Sequence, residues 1–270
     1  MFSLDPQAWA LFALAGAVAG FLAGLLGIGG GMIIVPALIL SFIWQGVPAD
    51  VLTHLAVGTS LASIMLTSIS SVRTHHANQG VDWALLRRLA PALMLGSLLG
   101  AQIAHALPAR VLQLVIAAFA IWTGTRMLSG RKADSGQRPL PGPAGLALSG
   151  SLIGAASAVF GIGGGSLMVP YLVGHGVLMR RAVGTAAACG FPIAVAGAAG
   201  FILSGWNEAG LPPGSTGSIY WPALLGISAT SILCAHYGAM AAHRLPAATL
   251  KRAFGAVLIL VGIRFLLGLH

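Results

Sequence analysis

The sequence predicts an all-α integral membrane protein made of two inverted-topology repeats of five apolar segments each, and three observations lead there. Hydrophobic residues make up 57% of the 270 positions and charged ones only 7%, with a mean hydropathy of +0.92. Such a chain would expose far more apolar surface than water tolerates. Gly-Ile-Gly-Gly-Gly occurs twice, at 27–31 and 161–165, and Val-Pro follows each time, at Val35-Pro36 and Val169-Pro170. The basic residues, finally, gather at alternate connections between apolar runs, the pattern of a chain threaded repeatedly through a bilayer.

The first segment, 9–26, starts at Trp9 and carries Gly16, Gly20 and Gly24 every fourth position. That stripe of small residues lets another helix come close. Three consecutive glycines at 29–31 then break the helix, each costing roughly 1 kcal/mol against Ala. Segment two, 32–44, contains Pro36, which removes a further backbone donor. As one helix, 9–44 would be about 54 Å long, nearly twice the apolar thickness of a bilayer. The chain must therefore reverse at the glycine run. It does so either near the far surface or part-way through as a re-entrant hairpin, and the sequence leaves both open.

Segment three, 51–72, holds Ala56-Val57-Gly58-Thr59, with Ser60 and Ser63 after it. Segments four and five, 83–105 and 109–129, meet at Leu-Pro-Ala 107–109. The second copy repeats the order at 144–160, 166–178, 182–204, 219–242 and 247–269. The register is checkable, since Gly16, Gly20, Gly27, Val35 and Pro36 recur 134 positions on, at Gly150, Gly154, Gly161, Val169 and Pro170. Ala56–Thr59 recurs at Ala182–Thr185, offset 126, and Gly100, His105, Pro108, Gly124 and Arg126 at Gly238, His243, Pro246, Gly262 and Arg264, offset 138. Offsets change only in connections, where insertions are tolerated. The expected organisation is a first membrane repeat at 1–129, a cytoplasmic linker at 130–143 and a second repeat at 144–270.

All 14 Lys and Arg residues except Arg110 and Arg264 fall on one side when connections are counted along the chain. The positive-inside rule makes that side cytoplasmic and puts both termini outside. The connection after the third segment is basic in copy one (Arg73) and acidic in copy two (Glu208). The copies are thus expected to lie upside down relative to each other, because five segments, or three spans plus a re-entrant pair, are both odd numbers. Inverted repeats suit alternating access, and matched helix interruptions point to the binding centre.

Consecutive glycine N–H groups at a helix start form a concave array of donors at the positive end of a helix dipole. Gly29, Gly30 and Gly31 precede segment two, and Gly163, Gly164 and Gly165 precede segment seven. The alternative use of these glycines is simply a tight hairpin. Thr59, Ser60 and Thr185 are the candidate hydroxyls for the same oxyanion, although a mid-membrane Thr also bonds its own i−4 carbonyl. Replacing Thr59 by Val is expected to weaken binding with the fold intact. His54, one turn before Gly58, is the candidate for proton transfer or gating among histidines that otherwise lie near segment ends.

No Asp or Glu lies inside an apolar segment, which excludes a carboxylate proton relay or cation site. HExxH, GxSxG and CxxC are absent, so neither an enzyme, a metal site nor a cofactor is expected. Cys189 and Cys234 read as buried spectators.

The glycine motif with its Val-Pro in each half, Ala-Val-Gly-Thr-Ser at 56–60, and Leu-Pro-Ala at 107–109 and 245–247 together resemble the TauE/SafE sulfite exporter family over nearly the whole chain. The resemblance implies a multi-pass permease of the bacterial cytoplasmic (inner) membrane for sulfite, sulfoacetate or a related organosulfonate. Its partners would be that small sulfur oxyanion and the lipid bilayer, with no nucleic acid, and a homo-oligomer is compatible with the pattern. Copy two has Ala186 where copy one has Ser60, so the halves would contribute unequal donors. An anion channel of the same architecture and a non-transporting structural subunit are the alternative functions.

Overall fold

The computed structural model describes residues 6–26, 31–129, 139–241 and 247–267. These residues form ten helices: α1 (Pro6–Leu26), α2 (Gly31–Trp44), α3 (Ala49–Ala77), α4 (Trp83–Ala106), α5 (Ala109–Leu128), α6 (Pro143–Phe160), α7 (Gly165–Gly174), α8 (Met179–Ser204), α9 (Trp221–Ala241) and α10 (Ala247–Leu267). Each of the ten apolar segments is therefore a helix. The fold is all-α apart from a hairpin of two-residue strands, β1 (Ser215–Thr216) and β2 (Ile219–Tyr220), of which β2 falls within the expected segment nine and β1 in the connection before it. Among the described residues α3, α4, α5, α6 and α8 are long and apolar enough to cross a membrane. Accordingly, this is a multi-pass membrane protein.

Two boundaries moved for identifiable reasons. Helix α3 starts right after Pro48 and ends at Ala77, capped by Asn78, longer at both ends than the apolar run, because its polar last turn, Thr74–Ala77, continues the hydrogen-bond ladder. Helix α7 stops at Gly174, four residues short of the apolar run. There His175 N, Gly176 N and Val177 N fold back onto the Leu172 and Val173 carbonyls, and Gly176 takes φ +79°. That left-handed residue after the last turn is the usual glycine helix stop.

The helices that follow the two glycine runs are short. At about 1.5 Å per residue, the 14 residues of α2 and the 10 of α7 reach only about 21 and 15 Å, short of the roughly 30 Å apolar core. At one end of the bundle Phe12 of α1, Phe42 of α2 and Tyr220 meet edge to face, with ring centroids 6.4, 6.2 and 5.7 Å apart, closing the mouth of the first hairpin. At the other end Ser149 Oγ of α6 and Tyr171 Oη of α7 share a 2.7 Å hydrogen bond, closing the second. Between these ends the start of α2 touches the second glycine run. A Cβ on Gly31 would lie 2.5 Å from the Gly161 carbonyl oxygen and 2.9 Å from Ile162 Cα.

Each hairpin's first helix packs on a helix of the other copy, α1 along α9 and α6 along α4. Gly16 and Gly20 press on the backbone of α9 at Ile227 and Ser231, while Gly154 presses on α4 at Leu93 and Ser97. The glycine stripe is thus a packing seam. Helices α3 and α8 cross at the centre, and α3 is buried continuously from Val51 to Ile64.

Candidate functional site

The second glycine run is built by two opposite helix-end devices. Gly161, at φ +65°, ends α6: its N–H bonds Ala158 O at 3.2 Å, and Ile162 N bonds Ser157 O at 2.9 Å. This pair of reversed bonds satisfies the last carbonyls of α6. Three residues later Gly164, at φ +74°, is the N-cap of α7, and its carbonyl accepts from Leu167 N and Met168 N. All of 161–165 is buried. The first N–H groups of α7 have no carbonyl one turn back to bond, and they carry the positive end of the helix dipole.

Two hydroxyls near this tip in the chain lack partners. Ser157 is fully buried, its Oγ lacks a hydrogen-bond partner, and it sits 3.5 Å from where a Gly164 Cβ would be. Ser166 Oγ, on the first turn of α7, is likewise enclosed and unpaired. The walls are apolar: Ile193 Cδ1 lies beside Gly164, and Ile64 lies beside both Gly31 and Gly163. Helix α8 runs flush against the tip at Gly190, where a Cβ would lie 2.8 Å from the Gly163 carbonyl. Neutral donors in an apolar, buried setting are chemically suited to an oxyanion, which accepts hydrogen bonds and brings its own charge.

The expected site residues divide into three groups. Gly163, Gly164 and Gly165 form the second tip, and Gly31 lies against it, whereas Gly29 and Gly30 are outside the described residues. Ser60 also reaches the tip, but its Oγ donates to Gly161 O at 2.8 Å, which commits that hydrogen to tying α3 to the break. Thr59 and Thr185 are engaged elsewhere. Thr59 Oγ1 accepts from Tyr220 N at 3.0 Å, at the start of α9, and Thr185 Oγ1 accepts from Asp82 N at 3.0 Å, at the start of α4. These hydroxyls pin helix starts contributed by the opposite copy, and each retains its own hydrogen to donate.

His54 lies away from the tip. Its Nε2 is 3.0 Å from Ala104 O and 3.1 Å from Leu107 O. Both partners are carbonyls and only accept, so Nε2 carries the hydrogen. The ring meets His105 edge to face at 5.9 Å, and His105 Nε2 is 3.8 Å from Glu208 Oε2. This polar group closes the end of the bundle where α4 stops.

Ser157 and Ser166 are the residues that sequence reasoning missed. Ser157 stands one turn before Gly161 and Ser166 directly follows the glycine run, a proximity that could have marked them. Matching the two copies hid them, because offset 134 pairs them with Ala23 and Met32.

A family model described as Sulfite exporter TauE/SafE matches residues 12–265. A "Probable membrane transporter protein" of Haemophilus influenzae is 39% identical over 94% of this chain and 96% of its own length. Similar proteins with the same description come from Methanocaldococcus jannaschii, 29% identical over 64% of both chains, and from Xylella fastidiosa, 29% identical over 92% of this chain and 91% of that one. No solved structure matches.

Proposed function

Since this chain belongs to the TauE/SafE sulfite exporter family and is a membrane transporter, we propose that it exports a small sulfur-containing oxyanion by alternating access, holding the anion where the two hairpin tips meet. The observation that carries this reading is the pair of unpaired hydroxyls, Ser157 and Ser166, at a buried helix start against which the other tip rests. Sulfite, sulfoacetate and related organosulfonates present the acceptor oxygens that such a donor set needs.

The proposed architecture is an inverted pair of repeats, 1–129 and 144–270, joined by a cytoplasmic linker at 130–143, with both termini extracytoplasmic, in a bacterial inner membrane. Reciprocal contacts fit a two-fold exchange of the copies, and the inversion itself rests on the alternation of basic connections. The Thr59–Tyr220 and Thr185–Asp82 bonds exchange copies under the offsets 126 and 138 found in the sequence, as do the packing pairs α1 on α9 and α6 on α4. In an inverted pair the hairpins enter from opposite faces, so movement of one tip past the other exposes the junction to each side in turn. With the cell interior negative, export of one negative charge is assisted by about 2.3 kcal/mol per 100 mV.

Proteoliposomes loaded with labelled sulfite or sulfoacetate test the proposal. Saturable efflux that falls strongly in Ser157→Ala and Gly164→Leu is the expected result. Efflux that never saturates favours a channel, and no flux of either anion removes the assignment.

A further inference from the structure

A cavity of about 250 Å³ lies between α2, α3 and α5 at the end of the bundle where the first hairpin opens. It is separate from the glycine tips, since its α3 residues, Ala49, Leu52 and Thr53, precede Ser60 by about two helical turns or more. Ile43, Val47 and Leu52 make an apolar wall, and Thr53, Arg110 and Gln113 supply the polar part.

The polar part is rich in donors. Arg110 Nη1 donates to Gln113 Oε1 at 3.0 Å and to Phe265 O at 3.1 Å, and Nη2 reaches Leu266 O at 3.4 Å. Because a guanidinium only donates, Oε1 must be the amide atom facing it, and Nε2 with its two hydrogens is turned the other way. Gln113 is only 4% exposed, yet Nε2 has no partner. A buried amide in that condition carries an unpaid desolvation cost that an acceptor would relieve. Helices α3 and α5 both begin at the rim, at Ala49 and Ala109, so the positive ends of two helix dipoles open onto the same space. Among the described residues no carboxylate pairs with Arg110, and Asp50, on the exposed side of the first turn of α3, is not part of the lining.

We infer that this cavity is a second anion site, taking a small organic oxyanion, a sulfonate or carboxylate, whose charged head meets Gln113 and Arg110 while its short apolar body lies on Ile43, Val47 and Leu52. The volume, below the roughly 300–1,000 Å³ of drug-sized pockets, suits a body of a few carbons.

The test uses the full chain in lipid nanodiscs with Cys189 and Cys234 replaced by Ala. Thr53→Cys then places a thiol in the cavity. Anionic sulfonatoethyl methanethiosulfonate is expected to modify it about tenfold faster than the cationic trimethylammonium analogue, each rate normalised to a free thiol. Ethanesulfonate should slow the reaction. Adding Gln113→Met, or filling the cavity with Leu52→Trp, should remove the ethanesulfonate protection. Equal normalised rates, or protection undiminished in Gln113→Met, would overturn the proposal. Protection that survives Ser157→Ala supports a site distinct from the hairpin junction, and protection lost in that variant overturns it. Inorganic sulfate protecting as well as ethanesulfonate would overturn the organic assignment.

Discussion

A hydroxyl buried without a partner carries a desolvation penalty of about 1–3 kcal/mol, so Ser157→Ala separates two roles by the sign of its effect. The anion-free protein should gain about 1 kcal/mol in thermal or denaturant unfolding, while titration shows sulfite binding weakened about tenfold, the loss of one hydrogen bond to a charged group. A purely structural serine would lose stability and leave binding alone. Thr59→Val should behave the opposite way. It leaves Tyr220 N buried without its acceptor, and unfolding measurements should show about 1–3 kcal/mol lost. From sequence alone the same substitution was expected to spare the fold. The difference is one backbone N–H, 161 positions away in the chain, that no local pattern announces.

Among the helical elements, the second glycine run is the part most legible in the sequence. Glycine is needed at 161 and 164 because both residues adopt positive φ, +65° and +74°, where a side chain costs roughly 1–2 kcal/mol. Gly164→Ala is therefore expected to lower stability by about that amount and to slow transport by misplacing the first turn of α7. Circular dichroism melts and efflux rates check the two effects. A methyl there would also meet Ile193 Cδ1 at 2.5 Å, but that atom ends a flexible side chain and can shift. Backbone strain thus dominates. The shortness of α2 and α7 was legible too, because helix length follows directly from residue count. The end of α7 was not, since the turn after Gly174 lies within an unbroken apolar run and hydropathy does not register φ.

The arrangement of the whole molecule yields a prediction about sidedness. In the Cys189→Ala, Cys234→Ala background, Ala10→Cys and Ala49→Cys mark the mouth of the first hairpin, and Ala144→Cys and Leu178→Cys mark the mouth of the second. All four positions are exposed. Membrane-impermeant thiol reagents should label the first two from one face of right-side-out vesicles and the last two only after the vesicles are opened. Labelling of all four from the same face would reject the inverted repeat. The sequence by itself determined the membrane class, the ten helices and the duplication, because composition, hydropathy and repeat register are properties of the chain read along its length. Only the tertiary structure decided that the start of α2 packs against the second glycine run, that Thr59 and Thr185 hold helix starts of the opposite copy, and that Ser157, Ser166 and Gln113 are left with hydrogens to give. Whether a polar group is satisfied depends on which distant backbone packing brings beside it, and no spacing within a segment encodes that.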